Sequence, residues 1–481
     1  MSLRRLTLNT AAMSTVTVLR MLVQILVVPV LARILSPSDY GVVAMAMPFI
    51  LFAMMFADAG IGISLVRAPA EDHVTWSTSF WISVLAGLAL TLIIVIVGYG
   101  AAIFFAEPRL GPVVAALSVV IFLQALATIP GAKLQQQHKF RSIAGIEICA
   151  MLVSTLAALI TALQGLGVWA LVVQQLAHYA VKLLLTLWYS AFRPQRIFKL
   201  QHIKEHLVFG RDFLGANFIG FLTQSADNFA IGKVLGAAPV GIYSMAFLFA
   251  RLPSRIVSGP LQLVIYPHFA QMHTDHAMIR RMFLFMTRII SILVFPAMGM
   301  IAAAYLPIFT IVLSQKWAAS GHIFQLVAPA VAIQTVTALR GTVVMAVGRS
   351  DIILRQSLEN GVLWIAALLL SVFFGLEQVA IAFDIVTLLY LPRSLMLSLP
   401  LIEMPSATYL RSMLAPIIAT ALAIAAYEGI SNNTPGDVGL LGVAIGLTLA
   451  AIALSTAVQL RRLLTEFHSI RTGNTIQTPA T

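Results

Sequence analysis

The stretch "ARILSPSDYGVVAMA", residues 32–46, returns in altered form as "GKVLGAAPVGIYSMA", residues 232–246. The shared residues fall at equivalent places, and the identical ones in the first copy are Leu35, Gly41, Met45 and Ala46. Each copy straddles a predicted outer turn between two apolar segments. We therefore interpret the copies as equivalent parts of two like-oriented units; the alternative is chance similarity between two apolar hairpins.

The composition is that of a membrane protein. The 481 residues are 60% hydrophobic and 10% charged, whereas soluble domains are about 25% charged. Residues 73–106 and 148–181 contain no Asp, Glu, Lys or Arg, and about 20 apolar residues suffice to cross a bilayer. A single cysteine excludes an intrachain disulfide framework and any metal site built from several cysteines.

The apolar pattern predicts an all-α polytopic membrane protein with about fourteen transmembrane helices. Glycine and proline punctuate many of the segment ends. The predicted spans are roughly 13–33, 42–66, 78–104, 112–130, 143–163, 168–190, 212–235, 240–264, 282–304, 321–346, 357–374, 378–400, 408–430 and 438–460.

The distribution of positive charge predicts that both termini lie inside. With the N-terminus inside, twenty Lys and Arg residues fall in inner loops and tails, and four fall in outer loops. The four are Arg33, Arg109, Lys233 and Lys316. Because the positive residues occupy short loops between spans, we read the net charge of +12 as a topology signal and expect no nucleic-acid partner. We expect the first apolar stretch to be retained as a helix rather than cleaved as a secretory signal.

The two copies of the repeat are separated by six predicted spans, an even number, so the units share one orientation. This predicts a parallel repeat of six-helix lobes, an architecture found in transporters. We predict an N-terminal lobe over 1–200, a C-terminal lobe over 201–403, and two appended helices with a tail over 404–481. Two such lobes would enclose a cleft that opens alternately to each side of the membrane.

Three stretches carry a resemblance to a known family. They are "LARILSPSDYGVVAMAMPFILFAMMFADAGIGISLVR" (31–67), "NFIGFLTQSADNFAIGKVLGAAPVGIYSMAFLFARLPSRIVSGPLQLVIYPHFAQM" (217–272) and "SQKWAASGHIFQLVAPAVAIQTVTALRGTVVMAVGRSD" (314–351). In this order they resemble Wzx-type polysaccharide-export flippases of the multidrug/oligosaccharidyl-lipid/polysaccharide exporter superfamily, particularly the colanic-acid-like branch. The similarity covers about residues 5–400.

The resemblance implies a fourteen-helix flippase of the bacterial inner membrane. Such proteins move an undecaprenyl-pyrophosphate-linked oligosaccharide repeat unit from the cytoplasmic to the periplasmic leaflet. They are thought to use an ion gradient, H⁺ or Na⁺, and no ATP. Polysaccharide polymerase and export machinery are possible partners, beside the membrane lipids themselves.

Four arginines in the spans are candidates for contacting pyrophosphate or glycan. Arg251 lies about 11 residues into the predicted span 240–264, roughly 16 Å deep, and Arg255 follows one turn later. Guanidinium groups suit phosphate; the alternative is a structural pair. Arg20 would face the cleft from the inner side. Arg340 lies near an inner end, where we expect it to extend toward the interface.

Three further polar residues are candidates for ion coupling. Asp227 and Asn228 lie in the polar run "TQSADN" of the seventh predicted span. Asp227 would hold the coupling ion or pair with a basic residue such as Arg251. Asp58 lies closer to an inner end, and we expect a packing or interfacial role more often than ion coupling.

Several kinds of chemistry are missing from the sequence. No GxxxxGK[ST], HExxH or GxSxG motif occurs, so we expect no ATP hydrolysis, no enzyme activity and no cofactor or metal. A cation-coupled multidrug exporter of the same superfamily remains an alternative, although intramembrane arginines favour an anionic substrate. A membrane glycan polymerase or ligase is the alternative from another class, and the missing large outer loop speaks against it.

Overall fold

The computed structural model describes residues 23, 26–58, 60–66, 72–199, 220–221, 223–272, 274–431 and 436–472. Throughout these residues the regular structure is helical, which confirms the predicted all-α class. The chain divides into two compact units, Met1–Ser244 and Met245–Thr481. The lobe boundaries expected from the sequence stay a prediction.

The first unit holds six complete helices beside the shorter helical runs 26–34 and 223–235. The helix α3 starts where the Asp72 carboxylate accepts a hydrogen bond from the Thr75 backbone N–H at 3.0 Å. Neighbours in sequence pack together, α3 along α4 and α5 along α6. The helices are α1 Pro37–Asp58, α2 Ile61–Leu65, α3 His73–Phe105, α4 Leu110–Gln136, α5 Phe140–Leu163 and α6 Trp169–Ser190.

The helix α7, Ala237–Ala250, leads from the first unit into the second. Short turns join the later helices: a π-helical turn Ser254–Ser258 and 3₁₀ turns Gln315–Trp317, Val372–Phe374 and Leu399–Ile402. The remaining helices are α8 Gly259–Gln271, α9 His276–Ala303, α10 Tyr305–Val312, α11 Ala318–Thr337, α12 Leu339–Ala346, α13 Ser350–Ser371, α14 Leu376–Ser398, α15 Ser406–Ser431 and α16 Asp437–Thr472.

Eleven helices of the described residues are long and apolar enough to cross a membrane, or twelve if the bent pair of α7 and Ser254–Gln271 is one span. Each corresponds to one of the predicted spans. The other two predicted spans, 13–33 and 212–235, lie partly outside the described residues. The chain is a multi-pass membrane protein.

In each copy of the repeated stretch one helix begins. In the first copy Ser36 caps α1 reciprocally: its backbone N–H donates to the Asp39 carboxylate at 2.9 Å, and the Asp39 N–H donates to the Ser36 hydroxyl at 3.2 Å. In the second copy Gly236, with a φ of 89°, precedes α7. Only a residue without a side chain adopts that conformation without strain.

The last two helices pack within the second unit. α15 and α16 both contact α9 and each other. Their shared core is built from small and aromatic side chains: Met300, Ala304, Ala419, Ala423, Tyr427, Ala444 and Ala451. An ion pair between the buried Arg288 on α9 and Glu466 on α16 also joins the last helix to α9.

Candidate functional site

Arg251 and Arg255 lie at a break between two helices. The sequence predicted an uninterrupted span over 240–264, but the α-helix stops at Ala250 and continues through the π-helical turn that Pro253 precedes. Proline lacks the N–H that the ladder needs and its ring crowds the preceding turn, which explains the break. Such π-helical turns recur at functional sites.

Both arginines are exposed at the protein surface, which in a membrane span means toward lipid or toward a cavity. The Arg251 guanidinium lies 5.2 Å from the centre of the Phe247 ring, within cation–π range. Its charge also interacts with that of Arg255. Two like charges this close favour an anionic ligand over a second cation.

The turn that carries Arg255 is tied to α11. The Ser258 hydroxyl, which is fully buried, donates to the Thr335 carbonyl at 3.0 Å. Thr335 lies five residues before Arg340, which is the second residue of α12. The exposed arginines and Arg340 therefore stand on elements that contact one another within the second unit.

The Arg340 side chain lines a polar cavity. Two of its nitrogens, Nε and Nη1, are buried and have no hydrogen-bond partner in the described part of the chain. The sequence led us to expect that Arg340 extends to the membrane interface, and this stays a prediction. In the structure its side chain lies beside α11, α13 and α14.

The cavity beside Arg340 has a volume of about 270 Å³. Its wall is unusually polar for a membrane span, because amides and hydroxyls of three helices converge on it. One hydrogen bond, from the Gln334 amide to the Thr387 hydroxyl at 3.0 Å, crosses between α11 and α14. The polar lining residues are Gln334, Thr337, Gln356, Ser357, Asn360, Thr387, Tyr390 and Ser394.

One carboxylate, that of Glu359, lies beside this cavity and is already paired with cations. Glu359 accepts hydrogen bonds from Arg355 at 2.8 Å and from Arg393 at 3.2 Å. It also accepts one from the Tyr390 hydroxyl at 3.2 Å. Glu359 is therefore occupied by two guanidinium groups, and Arg340 receives no carboxylate.

Six arginines described so far in the second unit divide into two classes. Arg288, Arg355 and Arg393 pair with a glutamate. Among the described residues no carboxylate lies within salt-bridge distance of Arg251, Arg255 or Arg340. The second class is the one that has charge to offer a ligand.

The ion-coupling candidates lie in the first unit where they are described. Asp227 is buried, and its carboxylate accepts the Asn228 backbone N–H at 2.9 Å. The Asn228 amide donates to the Ala44 carbonyl at 3.2 Å, so it helps to hold the helix 223–235 against α1. Arg20 and the side chain of Asp58 lie outside what the structure describes. Pairing of Asp227 with Arg251 stays a prediction.

Sequence reasoning missed a partly buried acid. Glu147 on α5 pairs with Lys182 on α6 at 2.8 Å, and His178 lies 3.9 Å from the same carboxylate. A glutamate in an otherwise apolar run was the available signal. Throughout the described residues, no group of three or more His, Cys, Asp or Glu side chains is arranged to hold a metal ion.

Comparison with known proteins places the chain in a family. The sequence model of the family described as "Polysaccharide biosynthesis protein" matches residues 30–321. The succinoglycan biosynthesis transport protein ExoT of Rhizobium meliloti (strain 1021) is 27% identical over 301 residues, which are 63% of this chain and 61% of ExoT. The match therefore spans less than two thirds of ExoT.

Two other relatives align over more of their length. The teichuronic acid biosynthesis protein TuaB of Bacillus subtilis (strain 168) is 24% identical, with 84% of each chain covered. The lipopolysaccharide biosynthesis protein WzxC of Escherichia coli (strain K12) is 24% identical, over 77% of this chain and 76% of its own. These matches confirm the resemblance that the three quoted stretches carry.

Solved structures share the fold. The structure titled "Lipid II flippase MurJ, inward closed conformation" superposes with a TM-score of 0.75 at 13% identity, over 95% of this chain and all of MurJ. An inward-facing multidrug resistance MATE family transporter of the MOP superfamily gives 0.62 at 14% identity, over 80% of this chain and 94% of its own. Because the family's sequence model covers more than half of the residues, the chain belongs to the polysaccharide biosynthesis protein family.

Proposed function

We propose that this protein is a transporter, and not an enzyme, that moves undecaprenyl-pyrophosphate-linked oligosaccharide repeat units across the bacterial inner membrane. The relatives are named for the biosynthesis of succinoglycan, teichuronic acid and lipopolysaccharide. The MurJ-like fold supports a lipid-linked substrate. The exported unit would serve exopolysaccharide or lipopolysaccharide synthesis.

One observation carries this proposal: Arg251, Arg255 and Arg340 have no carboxylate partner among the described residues. A charge inside a membrane protein is expensive unless it is paired or faces a polar space. A pyrophosphate supplies the missing negative charge and accepts several N–H groups of a guanidinium at once. A protein that retains three such groups in one unit is suited to an anionic headgroup.

We propose a topology of fourteen spans with both termini inside, and transport by alternating access. The eleven or twelve described spans and the inward bias of Lys and Arg support this arrangement. The glycan and pyrophosphate would pass through the polar interior while the prenyl tail stays in the surrounding lipid. Polymerase or export machinery would receive the unit on the outer side.

We propose that an ion gradient, of H⁺ or Na⁺, drives the cycle. Asp227 is the leading candidate for the coupling carboxylate because it is buried and its neighbour Asn228 supports the helix that carries it. Asp58 and Arg20 remain candidates on sequence grounds, for ion coupling and for substrate contact respectively.

A cation-coupled multidrug exporter is the second candidate function, since the MATE transporter shares the fold. An exporter of organic cations needs an acidic cavity, whereas the cavity at Arg340 is cationic and polar. A glycan polymerase or ligase has no observation in its favour here.

Deletion of the gene tests the proposal. We expect the deletion strain to lose surface polysaccharide and to accumulate lipid-linked repeat units that remain accessible only from the cytoplasmic side of inner-membrane vesicles. A plasmid copy should reverse both effects. Normal surface polysaccharide with no accumulated lipid would contradict the proposal, as would accumulated units already exposed on the periplasmic face.

A further inference from the structure

A second polar cavity lies in the first unit, and its lining residues do not suit an anion. Its volume is about 400 Å³. The apolar half of its wall comes from the helical run 26–34 and from Leu171, and the polar half comes from α5 and α6. Along α6 the polar wall is formed by Gln174, Gln175, His178 and Tyr179.

The spacing of these residues places them on one side of α6. Positions 174 and 178, and positions 175 and 179, are one turn apart and therefore neighbours on the helix surface. Ser154 and Thr155 of α5 line the same space, and the buried Ser154 hydroxyl already donates to the Met151 carbonyl at 3.0 Å. Polar side chains from two helices therefore converge on one space.

The amides of Gln174 and Gln175 make no hydrogen bond within the described residues. The usual role of glutamine in a membrane span is to bond a neighbouring helix, and neither residue does so here. Each amide offers two donors and one acceptor to the cavity. An apolar occupant such as an acyl chain would leave all of these groups unsatisfied, which is costly.

Among the described residues, no Asp, Glu, Lys or Arg lines this cavity. The Glu147 carboxylate pairs with Lys182 at 2.8 Å and lies 3.9 Å from His178. This pair lines a separate cavity of about 190 Å³ in the same unit. The described wall of the larger cavity therefore presents mixed donors and acceptors without an arginine, in contrast to the cavity at Arg340 in the second unit.

Neighbouring hydroxyl groups of a sugar ring each donate and accept, which is the pattern that side-by-side amides complement. Tyr179 and the His178 ring, whose centres lie 5.3 Å apart, add flat faces against which the apolar side of a ring can rest. A neutral sugar therefore offers hydroxyl groups to the two amides and an apolar ring face to these aromatic rings.

We propose that this cavity is a carbohydrate subsite, in which Gln174 and Gln175 hold a neutral sugar residue of the lipid-linked glycan. This inference rests on the proposed function. It assigns the glycan to the first unit and leaves the pyrophosphate to the arginines of the second.

The test compares two lipids on the purified full-length protein by native mass spectrometry. One probe is the lipid-linked repeat unit extracted from the deletion strain, and the other is undecaprenyl pyrophosphate without sugar. We expect the wild type to prefer the glycan-bearing lipid by about tenfold or more, as the loss of one or two hydrogen bonds would imply. The Gln174→Leu/Gln175→Leu double variant should lose that preference and keep its affinity for the sugar-free lipid.

The sugar-free lipid also reports whether each variant is folded. The control is Gln164→Leu, which removes an exposed amide at the end of α5 and should change nothing. Gln175→Leu alone should lose part of the preference. A wild type that binds both lipids equally, or a double variant that keeps the preference or loses both lipids, overturns the subsite and leaves the proposed function standing. A wild type that binds neither lipid overturns both.

Discussion

Gly41 and Gly241, the two glycines of the repeated stretch, pack against each other. A Cβ on Gly41 would lie 3.0 Å from the Gly241 backbone nitrogen, and a Cβ on Gly241 would lie 2.9 Å from the Gly41 nitrogen. Each would also overlap with a carbonyl oxygen, that of Ala237 or Pro37. Equivalent residues that contact each other reciprocally are what a local two-fold relation produces. The repeat seen in the sequence is therefore a repeat in space at this contact.

The first prediction concerns this close approach. Gly41→Ala should destabilise the protein by at least about 1–3 kcal/mol, the usual cost of overpacking, because two backbones must separate. Thermal unfolding in detergent, followed by intrinsic fluorescence, measures the effect. Gly145→Ala is the matched control in the same unit: a Cβ there meets nothing within 4 Å, and alanine suits a helix interior better than glycine. A Gly41→Ala protein as stable as Gly145→Ala would contradict the contact.

The second prediction concerns Arg288 and Glu466. Arg288→Met removes the guanidinium that is hydrogen-bonded to the largely buried Glu466 carboxylate, so it should lower stability by up to about 3–5 kcal/mol. The double variant Arg288→Met/Glu466→Leu should recover most of the loss, because a well-packed apolar pair is often tolerated in place of a buried ion pair. A double variant less stable than either single one would show that the two side chains act separately.

The third prediction concerns pH and a loop outside the spans. Arg109 donates to Glu107 at 2.8 Å, and this hydrogen bond lowers the pKa of the Glu107 carboxyl below its ordinary value. Because the folded pKa is depressed, the stabilisation is present above the unfolded pKa of about 4.3 and is lost as pH falls through the folded value. Since the Arg109 side chain is 45% exposed and the pair is screened by solvent, the pair contributes at most about 1 kcal/mol to stability.

The comparison that isolates this effect is wild type against Glu107→Gln. The difference in melting temperature should be steady between about pH 7 and 5 and should shrink toward pH 3. A difference that grows on acidification would mean that Glu107 is not stabilised as the carboxylate.

The fourth prediction concerns the arginines at the helix break. Arg251→Gln and Arg255→Gln should slow export of lipid-linked units in the complemented deletion strain. The free energy of unfolding should stay within about 0.5 kcal/mol of the wild type, because both side chains are exposed and hold no ion pair in the described structure. Arg349→Gln is the control, since Arg349 lies outside the spans and pairs with Asp351 at 2.8 Å. Full export by both variants would remove these residues from the substrate path.

Sequence reasoning reached most of the fold. The length of an apolar run is almost enough to predict a membrane helix, because backbone groups in lipid must form hydrogen bonds within the protein. For this reason the positions of the described spans agree with prediction. The sequence analysis did not predict the break after Arg251, although Pro253 indicates it. Hydropathy does not register the loss of a single backbone donor.

The candidate sites were harder to predict. Arg340 was recognised as an intramembrane charge, but its depth along a span does not reveal which way the side chain points. Glu359 beside its cavity pairs with Arg355 one turn away on α13 and with Arg393 on α14. Only the second of these pairs depends on the packing of α13 on α14. Glu147 and its partner Lys182 lie on different helices, so their pairing also depends on tertiary structure.

Whether the unpaired Arg340 recognises a pyrophosphate is tested by the binding of undecaprenyl pyrophosphate to purified wild type and Arg340→Gln. Undecaprenol serves as the uncharged lipid, and Arg355→Gln is the control for loss of a paired arginine. The account predicts that Arg340→Gln weakens binding of the pyrophosphate by roughly tenfold or more, as for a lost charged hydrogen bond. Binding of undecaprenol and the behaviour of Arg355→Gln should stay as in the wild type. Equal affinity of wild type and Arg340→Gln for the pyrophosphate would contradict the account.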